Sequence, residues 1–210
     1  MFTGLVQALG RIRLIDPRAT ATRLVVDTAG WPHRPDLGAS ISVNGCCLTV
    51  VEVAADGAFS FDVIPQTLAV TGLGRLRVGD GVNLEHAATP STFLGGHVVL
   101  GHVDGLATVE RVETDGEWRV RLRLPGELGR HAVDKGSIAL DGVSLTLAHV
   151  EPLESGSGAA GVAIEVCLIP ETLARTNLAE RRAGDVVHVE VDYLSKLVAR
   201  QLEWIERARK

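Results

Sequence analysis

The stretch Ser-Ile-Ser-Val-Asn-Gly-Cys-Cys-Leu-Thr-Val at residues 40–50 returns as Ser-Ile-Ala-Leu-Asp-Gly-Val-Ser-Leu-Thr-Leu at residues 137–147. Farther along, Ile-Pro-Gln-Thr-Leu-Ala-Val-Thr at residues 64–71 returns as Ile-Pro-Glu-Thr-Leu-Ala-Arg-Thr at residues 169–176. The separation of about a hundred residues is far longer than a solenoid repeat, which usually runs to tens of residues. The sequence therefore predicts two copies of one domain-sized unit. If each copy carries a pocket, the protein holds two similar ligands.

A weaker echo concerns the start of each copy. Residues 2–5 read Phe-Thr-Gly-Leu, and residues 103–106 read Val-Asp-Gly-Leu. This similarity is a further sign of the duplication and matches residues 2–5 with residues 103–106.

The bulk properties exclude several classes of protein. The chain has 210 residues, of which 46% are hydrophobic, enough for two small domains with packed cores. It carries 21 Lys and Arg against 26 Asp and Glu, a formal charge of −5, and no basic stripe that would favour nucleic acid. No signal peptide and no membrane-spanning run are recognisable. Three cysteines, two of them adjacent, form a poor disulfide framework and indicate a reducing cytoplasm.

Strand signals dominate both halves and predict an all-β fold. Short alternating segments between Gly-rich turns are typical of antiparallel barrels or sandwiches, and no βαβ alternation supports a Rossmann fold. Strands are predicted at residues 7–15, 23–27, 40–50, 59–63, 81–85, 107–112, 118–124, 136–150, 161–169 and 185–191. Short helices are predicted at residues 66–73 and 171–178, because a helix readily begins after proline. Residues 154–161, rich in Gly, Ser and Ala, are predicted to extend a hairpin tip.

The tail after Asp192 has a helical pattern instead. Asp192 is predicted to cap the helix, since a carboxylate can accept from the first free N–H groups. The apolar residues at helical spacing are Leu194, Leu197, Val198, Leu202 and Ile205. Such a stripe needs a cover, and the sequence leaves two alternatives open: its own domain, or copies of the helix from other subunits.

The best candidates for chemistry lie on the duplicated polar strands. Because strand side chains alternate, Cys47 and Thr49 share one face, as do Ser144 and Thr146. Two small polar groups on a pocket floor could hydrogen-bond a heteroaromatic ring; the alternative is a solvated outer face. Cysteine is seldom left on an open surface, which favours the pocket.

Two histidines follow the Gly-Gly pair at residues 95–96. His97 and His102 are five residues apart, so on a strand they point to opposite faces and cannot chelate one metal from a single element. A hydrogen-bonded structural role is the simpler interpretation of each, more so for His97. His102 is the candidate general acid or base. Lys135 occurs in the second copy only, which hints at specialisation of that copy.

These motifs together resemble the riboflavin synthase family of the alpha-chain type. The matching segments are residues 1–6, 44–49, 96–99, 101–105 and 141–146. The resemblance implies two similar six-stranded antiparallel Greek-key barrels and a C-terminal helix, divided as residues 1–96, 97–192 and 193–210. It implies a transferase that dismutates 6,7-dimethyl-8-ribityllumazine by passing a four-carbon unit between two molecules. The products are riboflavin and 5-amino-6-ribitylamino-uracil.

The resemblance also carries expectations about assembly. It implies a homotrimer held largely by the C-terminal helices, with two lumazine molecules in a site between barrels of neighbouring subunits. It implies that no cofactor and no metal are needed, and it suggests association with lumazine synthase. The charge balance and the lack of a long apolar run argue against a nucleic-acid or membrane partner. The runner-up interpretation is a non-catalytic lumazine- or flavin-binding protein of the same fold.

Site residues are carried over position by position as implications of the resemblance. The residues most tied to catalysis are Phe2, Cys47, His102, Ser144, Thr146 and Asp192. The first pocket is expected to use Gly4, Leu5, Val6, Cys47, Leu48, Thr49, Asp62, Val63, Ile64, Pro65, Gln66 and Thr67. The second is expected to use Gly101, His102, Val103, Lys135, Ser144, Leu145, Thr146, Ile169, Pro170, Glu171, Thr172, Leu173 and Ala174. His102, Thr146 and Ser144 are the candidates for proton transfer, and the sequence does not choose among them.

Overall fold

Two closed antiparallel barrels of six strands each make up most of the computed structural model, which describes residues 1–153 and 161–209. The first barrel contains β1 (Ala8–Pro17), β2 (Thr22–Asp27), β3 (Ser40–Val43), β4 (Cys46–Val53), β5 (Phe59–Val63) and β6 (Gly81–His86). The second contains β7 (Gly105–Glu113), β8 (Trp118–Pro125), β9 (Ser137–Leu140), β10 (Val143–Leu153), β11 (Gly161–Leu168) and β12 (Val186–Val191). The predicted all-β fold of two similar barrels is confirmed.

Both barrels have the same strand order. Going round them, the strands run β1-β2-β5-β4-β3-β6 and β7-β8-β11-β10-β9-β12, with a Greek-key step from the second strand to the fifth. Pairing shifts by one residue after Ile12 and Val50 in the first barrel, and after Val109 and Leu147 in the second. Such bulges increase the local twist that closes a small barrel. Their equivalent positions indicate that the duplication extends to irregular backbone.

Three helices lie close to their predicted places, and one short helix between β8 and β9 was not predicted. α1 (Pro65–Val70), α2 (Gly126–Gly129) and α3 (Pro170–Arg175) are short, and α4 (Tyr193–Ala208) ends the chain. α1 and α3 begin at the proline, where the missing N–H costs no hydrogen bond. Each then gives way to a 3₁₀ turn, Gly72–Arg75 and Asn177–Glu180. The predicted hairpin tip at residues 154–161 falls, except for Gly161, outside the described residues.

One strand prediction in each copy is wrong. Residues 40–50 and 136–150 were each expected to form a single strand, but each forms a hairpin instead. The turns are Asn44-Gly45 and Asp141-Gly142, with positive φ at all four residues. This is the backbone that a two-residue type I′ turn requires and that Asn-Gly and Asp-Gly favour. The tips of the two hairpins meet, and a Cβ on Gly45 would stand only 2.7 Å from the Gly142 nitrogen.

Each barrel has its own apolar core, to which alternate residues of the strands point. Phe59 and Phe61 on β5 fill the first core, and Leu122 and Leu124 on β8 fill the second; all four are fully buried. Burying such side chains contributes roughly 1.5–3 kcal/mol each. The alternation leaves the other face of each strand free for polar residues.

Buried polar side chains join the barrels. Asn83 on β6 donates from Nδ2 to the Asp141 carbonyl at 2.9 Å and accepts from the Asn177 N–H at 2.8 Å. His188 on β12 takes the equivalent place in the second copy.

His188 makes the same pair of contacts with an imidazole. Its Nδ1 donates to the Asn44 carbonyl at 2.6 Å, and its Nε2 accepts from the Gly72 N–H at 2.6 Å. These partners require a neutral ring protonated at Nδ1. Each barrel therefore donates a hydrogen bond from one buried side chain to the hairpin turn of the other barrel.

The helix α4 rests on the second barrel through polar groups. Lys196 Nζ lies 2.6 Å from Asp104 Oδ1, and Glu203 Oε1 lies 3.0 Å from Arg130 Nη2. The apolar stripe remains exposed, as the accessibilities of Leu194, Leu197, Val198, Leu202 and Ile205 show. The chain's own barrel therefore does not cover the stripe. No helix in the described ranges is long and apolar enough to cross a membrane.

Candidate functional site

The segments that lead into the two barrels cross over. The Gly4 carbonyl, just before the first barrel, accepts a 2.8 Å hydrogen bond from the Ser144 N–H on β10 of the second barrel. In the same way, the Gly101 carbonyl, just before the second barrel, accepts a 2.8 Å bond from the Cys47 N–H on β4 of the first. Both predicted polar strands are therefore faced by main chain from the opposite copy.

Glycine is required at both crossing points. Gly4 has φ +76° and Gly101 has φ +80°, values that residues with a side chain rarely adopt. A Cβ on Gly4 would lie 2.5 Å from Ser144 Cβ, and a Cβ on Gly101 would lie 2.7 Å from Cys47 Cβ. Any side chain there would push the crossing segment off its strand.

These contacts correct the matching of residues 2–5 with residues 103–106. Residues 99–102, rather than residues 103–106, stand where residues 2–5 stand in the first copy, because Gly101 makes the contact of Gly4. The two segments also pair with each other. The Phe2 N–H donates to the Val99 carbonyl at 2.6 Å, and the Val99 N–H donates back at 3.2 Å.

The first site, here called the Ser144 half-site, is a cavity of about 220 Å³. Its walls come from the crossing segment, from β10 and from α3. The lining residues are Gly4, Leu5, Val6, Val143, Ser144, Glu171, Thr172, Arg175 and Thr176. The predicted grouping of Gly4, Leu5 and Val6 with Cys47 is therefore wrong. Ile169, Pro170 and Leu173 line a neighbouring cavity of about 340 Å³ beside Trp118.

Ser144 has a histidine partner, His97, for which the sequence alone favours a structural role. His97 Nδ1 lies 2.7 Å from Ser144 Oγ, and the imidazole is buried. The other nitrogen, Nε2, has no hydrogen-bond partner among the described residues. A serine hydroxyl hydrogen-bonded to an imidazole is the arrangement in which a proton can pass between substrate and histidine.

Electrostatics keep this imidazole neutral near pH 7. Burial lowers the pKa of His97, while the negative charge of Asp192 opposes the shift. A neutral ring can accept a proton, so His97 is a competent base at neutral pH. Asp192 Oδ1 also accepts from the Leu194 N–H at 2.9 Å, which confirms its predicted role as the cap of α4.

The second site, here called the Cys47 half-site, comprises Cys47 with the crossing residues Gly101, His102 and Val103. Cys47 is half-buried and lies on the face opposite Cys46, as the alternation predicted. Burial raises the pKa of the Cys46 thiol to about 12, so Cys46 stays protonated. Of the two adjacent cysteines, only Cys47 can present its sulfur to a ligand.

His102 belongs to the Cys47 half-site within one chain. Its ring is exposed, and it occupies the position that Leu5 has in the Ser144 half-site. The expected grouping of His102 with Ser144 is therefore not what the structure shows. The two histidines are divided between the half-sites, with buried His97 at Ser144 and exposed His102 at Cys47.

Other predicted site residues differ in how they can act. Thr49 and Thr146 are exposed on the polar faces, whereas Phe2 is fully buried against Cys47 and Val99. Any influence of Phe2 on chemistry must therefore pass through its neighbours. Lys135 is exposed, outside the lining of the Ser144 cavity, and donates to the Ala148 carbonyl at 3.4 Å.

Most predicted site residues at the end of β5, just before α1, have side chains that contact other parts of the protein and are not free to bind a ligand. Asp62 accepts two hydrogen bonds from Arg23, at 2.5 and 2.9 Å, and this pairing lowers the pKa of its carboxyl. The side chains of Leu48 and Val63 point into the first core. Only the backbone of Leu48 and Val63 can face a ligand. Exposed Ile64, Pro65 and Gln66 remain available, and Thr67 is half-buried.

The chain is similar to known proteins over nearly its whole length. The lumazine binding domain family matches residues 3–87 and again residues 100–192. Riboflavin synthase of Mycobacterium tuberculosis (strain ATCC 25618 / H37Rv) is 42% identical over 206 residues, covering 95% of this chain and 97% of the relative. Riboflavin synthase of Escherichia coli (strain K12) is 36% identical over 214 residues, covering 100% and 95%. The crystal structure of LumP complexed with 6,7-dimethyl-8-(1'-D-ribityl) lumazine has a TM-score of 0.73 and 26% identity, covering 91% of this chain and 99% of LumP.

Proposed function

The chain belongs to the riboflavin synthase family, and from that premise we propose that it converts two molecules of 6,7-dimethyl-8-ribityllumazine into riboflavin and 5-amino-6-ribitylamino-uracil. The two identical substrates supply every atom of the two products, because a four-carbon unit leaves one ring system and joins the other. The observation that best supports this assignment is the pair of equivalent half-sites at Ser144 and Cys47. A reaction between two molecules of one compound needs two similar places to hold them.

The His97–Ser144 pair is proposed to move the proton. The substrate carries a ring methyl made acidic by the conjugated ring, and its carbanion must form before carbon is transferred. Neutral His97 can accept that proton through Ser144 Oγ, to which it is hydrogen-bonded at 2.7 Å. This adds His97 to the sequence-derived candidates Ser144, Thr146 and His102.

The Cys47 half-site is proposed to hold the second substrate. Cys47 and Thr49 offer polar contacts to its ring, and exposed His102 lies at the edge where it can exchange protons with solvent. Holding two rings face to face in a reactive orientation can by itself supply several kcal/mol of the acceleration.

The assembly is proposed to be a homotrimer with each reaction site between neighbouring subunits. Support comes from the exposed apolar stripe of α4, which the chain's own barrel leaves uncovered. Further support comes from the exposure of Leu5, Thr49 and Thr146, which leaves each half-site open in a single chain. A neighbouring subunit that brings the complementary half-site would close both.

The cytoplasm is the proposed location, because all three cysteines are free thiols. A non-catalytic lumazine-binding role is not favoured, because full-length relatives at 36–42% identity are riboflavin synthases.

The direct test is turnover without additions. Purified protein incubated with 6,7-dimethyl-8-ribityllumazine alone should produce riboflavin, measured by its absorbance, together with an equal amount of 5-amino-6-ribitylamino-uracil. The Ser144→Ala variant should be slower by about 100-fold or more, the usual contribution of a proton-transfer group. Binding of the lumazine without any riboflavin formation would contradict the proposal and favour the binding-protein alternative.

A further inference from the structure

Two buried glutamates at equivalent positions hold the crossing segments. Glu85, on β6 of the first barrel, accepts from both the N–H and the hydroxyl of Thr3 at 2.7 Å through Oε1. Its Oε2 accepts from the Gly4 N–H at 3.0 Å. The carboxylate therefore holds the N–H groups of two successive residues, Thr3 and Gly4, immediately before the Gly4 carbonyl that contacts Ser144.

Glu190, on β12 of the second barrel, repeats this arrangement. Its Oε1 accepts from the Leu100 N–H at 2.6 Å, and its Oε2 accepts from the N–H groups of Gly101 and His102 at 2.9 and 3.1 Å. The segment held here is the one whose Gly101 carbonyl contacts Cys47.

A carboxylate suits these places better than any other side chain. Each position confronts several donors, and only an ionised carboxyl has two oxygens that accept without offering a donor of its own. A glutamine would turn an NH₂ group toward one of the N–H groups. Burial raises the pKa of both carboxyls, whereas the N–H donors lower it, so the contacts to the segments offset part of the cost of burying the charge.

We propose that Glu85 and Glu190 are positioning residues that act across the duplication, each aligning the half-site on the barrel opposite its own. Glu85 in the first barrel holds Gly4 against Ser144 of the second. Glu190 in the second barrel holds Gly101 and His102 against Cys47 of the first. Their effect on turnover rests on the proposed function; their effect on the crossing segments does not.

Hydrogen–deuterium exchange tests the direction of this action. The full-length protein and its Glu85→Gln and Glu190→Gln variants would be followed by mass spectrometry at the Ser144 and Cys47 amides. Glu85→Gln should speed exchange at Ser144 about tenfold and leave Cys47 near the wild-type rate, because a lost hydrogen bond to a charged group is worth at least that factor. Glu190→Gln should do the reverse.

Three results would overturn the proposal. The first is faster exchange only in the barrel that carries the substitution, at Cys47 for Glu85→Gln and at Ser144 for Glu190→Gln. The second is equal acceleration at both amides, and the third is no acceleration at either. Glu113→Gln, the same substitution at an exposed ion pair with Arg111, is the matched control and should change neither amide. If Glu85→Gln fails to fold, Thr3→Val removes the hydroxyl that donates to Glu85 and accepts from the Leu5 N–H at 3.2 Å, and Ser144 exchange must still rise above the control.

Kinetics provide a second readout. Both glutamine variants should lower kcat/KM for 6,7-dimethyl-8-ribityllumazine about tenfold, while Glu113→Gln stays at the wild-type value. An inactive wild-type protein that shows the crossed exchange pattern would reject the proposed function and keep the positioning role. An active wild-type protein without that pattern would reject the positioning role alone.

Discussion

At the scale of single residues, proton transfer depends on the environment of His97. The ring is buried, and its Nδ1 lies 2.7 Å from Ser144 Oγ. It also interacts electrostatically with the negative charge of Asp192 at the start of α4. Burial penalises the imidazolium more than Asp192 favours it, so the pKa falls below the ordinary 6.5. The neutral base is therefore present over the whole neutral range.

The pH dependence of turnover should show this shift. kcat should stay level near neutrality and fall only below about pH 6.5, as His97 becomes protonated at its lowered pKa. His97→Gln keeps a hydrogen-bonding group but cannot titrate, so kcat should drop by about 100-fold and lose its acid limb. Steady-state rates from pH 5 to 8 at saturating lumazine would measure both effects. In the comparison variant His102→Gln, the acid limb should remain. An acid limb that survives in His97→Gln would assign the base elsewhere.

The histidine between the barrels should behave differently, because its ring fills a structural place. His188→Leu leaves the Asn44 carbonyl and the Gly72 N–H without their partner, which should cost about 2 kcal/mol or more of the free energy of unfolding. His188→Asn should cost less, since Asn83 makes the equivalent contacts in the other copy. Urea unfolding of both variants would measure the difference. Equal losses would show that ring packing, and not hydrogen bonding, holds the position.

Sequence reasoning reached some site residues and missed others for a definable reason. The faces of Cys47 and Ser144 were predictable, because alternation along a strand is a local property. The contact between His97 and Ser144 joins residues 47 positions apart, and no local pattern encodes it. The available signal was the glycine before His97, since a Cβ on Gly96 would stand 2.1 Å from the Thr3 carbonyl oxygen and 2.9 Å from Ser144 Oγ.

At the scale of elements, the hairpins and the tail helix differ in how well their sequences predict them. The prediction of single strands at residues 40–50 and 136–150 missed the Asn-Gly and Asp-Gly turns inside them, although those dipeptides are strong hairpin signals. The apolar residues on both sides of each turn continue the strand pattern, so periodicity alone spans the break. The helix was predictable because its period changes from two to 3.6, but what covers it was not.

The apolar stripe of α4 should hold subunits together. Deleting residues 195–210 should give smaller particles in sedimentation equilibrium, because the stripe is exposed on its own barrel. Leu202→Glu is a gentler version that leaves the Lys196–Asp104 contact intact. Arg207→Glu, which lies off the stripe, is the control and should not change the particle mass. If the truncated chain keeps the wild-type mass, the barrels alone are sufficient for assembly.

At the scale of the whole molecule, duplication explains why one chain carries two unequal half-sites. The copies share strand order, bulges and crossing glycines, yet differ at Cys47 and Ser144 and at Leu5 and His102. The family resemblance predicted both barrels and most of the residues near the half-sites. It did not predict which of these residues belong to the same half-site. Each leading segment contacts the opposite barrel, and the order of residues along the chain does not show this.

Subunit mixing should show whether the two half-sites of one reaction come from different chains. Thr49→Arg would obstruct the Cys47 half-site, and Thr146→Arg would obstruct the Ser144 half-site; both positions are exposed, so the barrels should still fold. Each variant alone should be inactive. The two variants would then be unfolded together and refolded in equal amounts. A site between subunits is intact when a Thr146→Arg chain supplies its Cys47 half and a Thr49→Arg chain supplies its Ser144 half. Each of these two conditions is met with a probability of one half. About a quarter of the sites in such mixed symmetric oligomers should then be intact. Riboflavin formation near that fraction of wild-type activity would support sites between subunits. The same variants refolded separately and then combined are the control, and mixed samples no more active than this control would locate each reaction within a single chain.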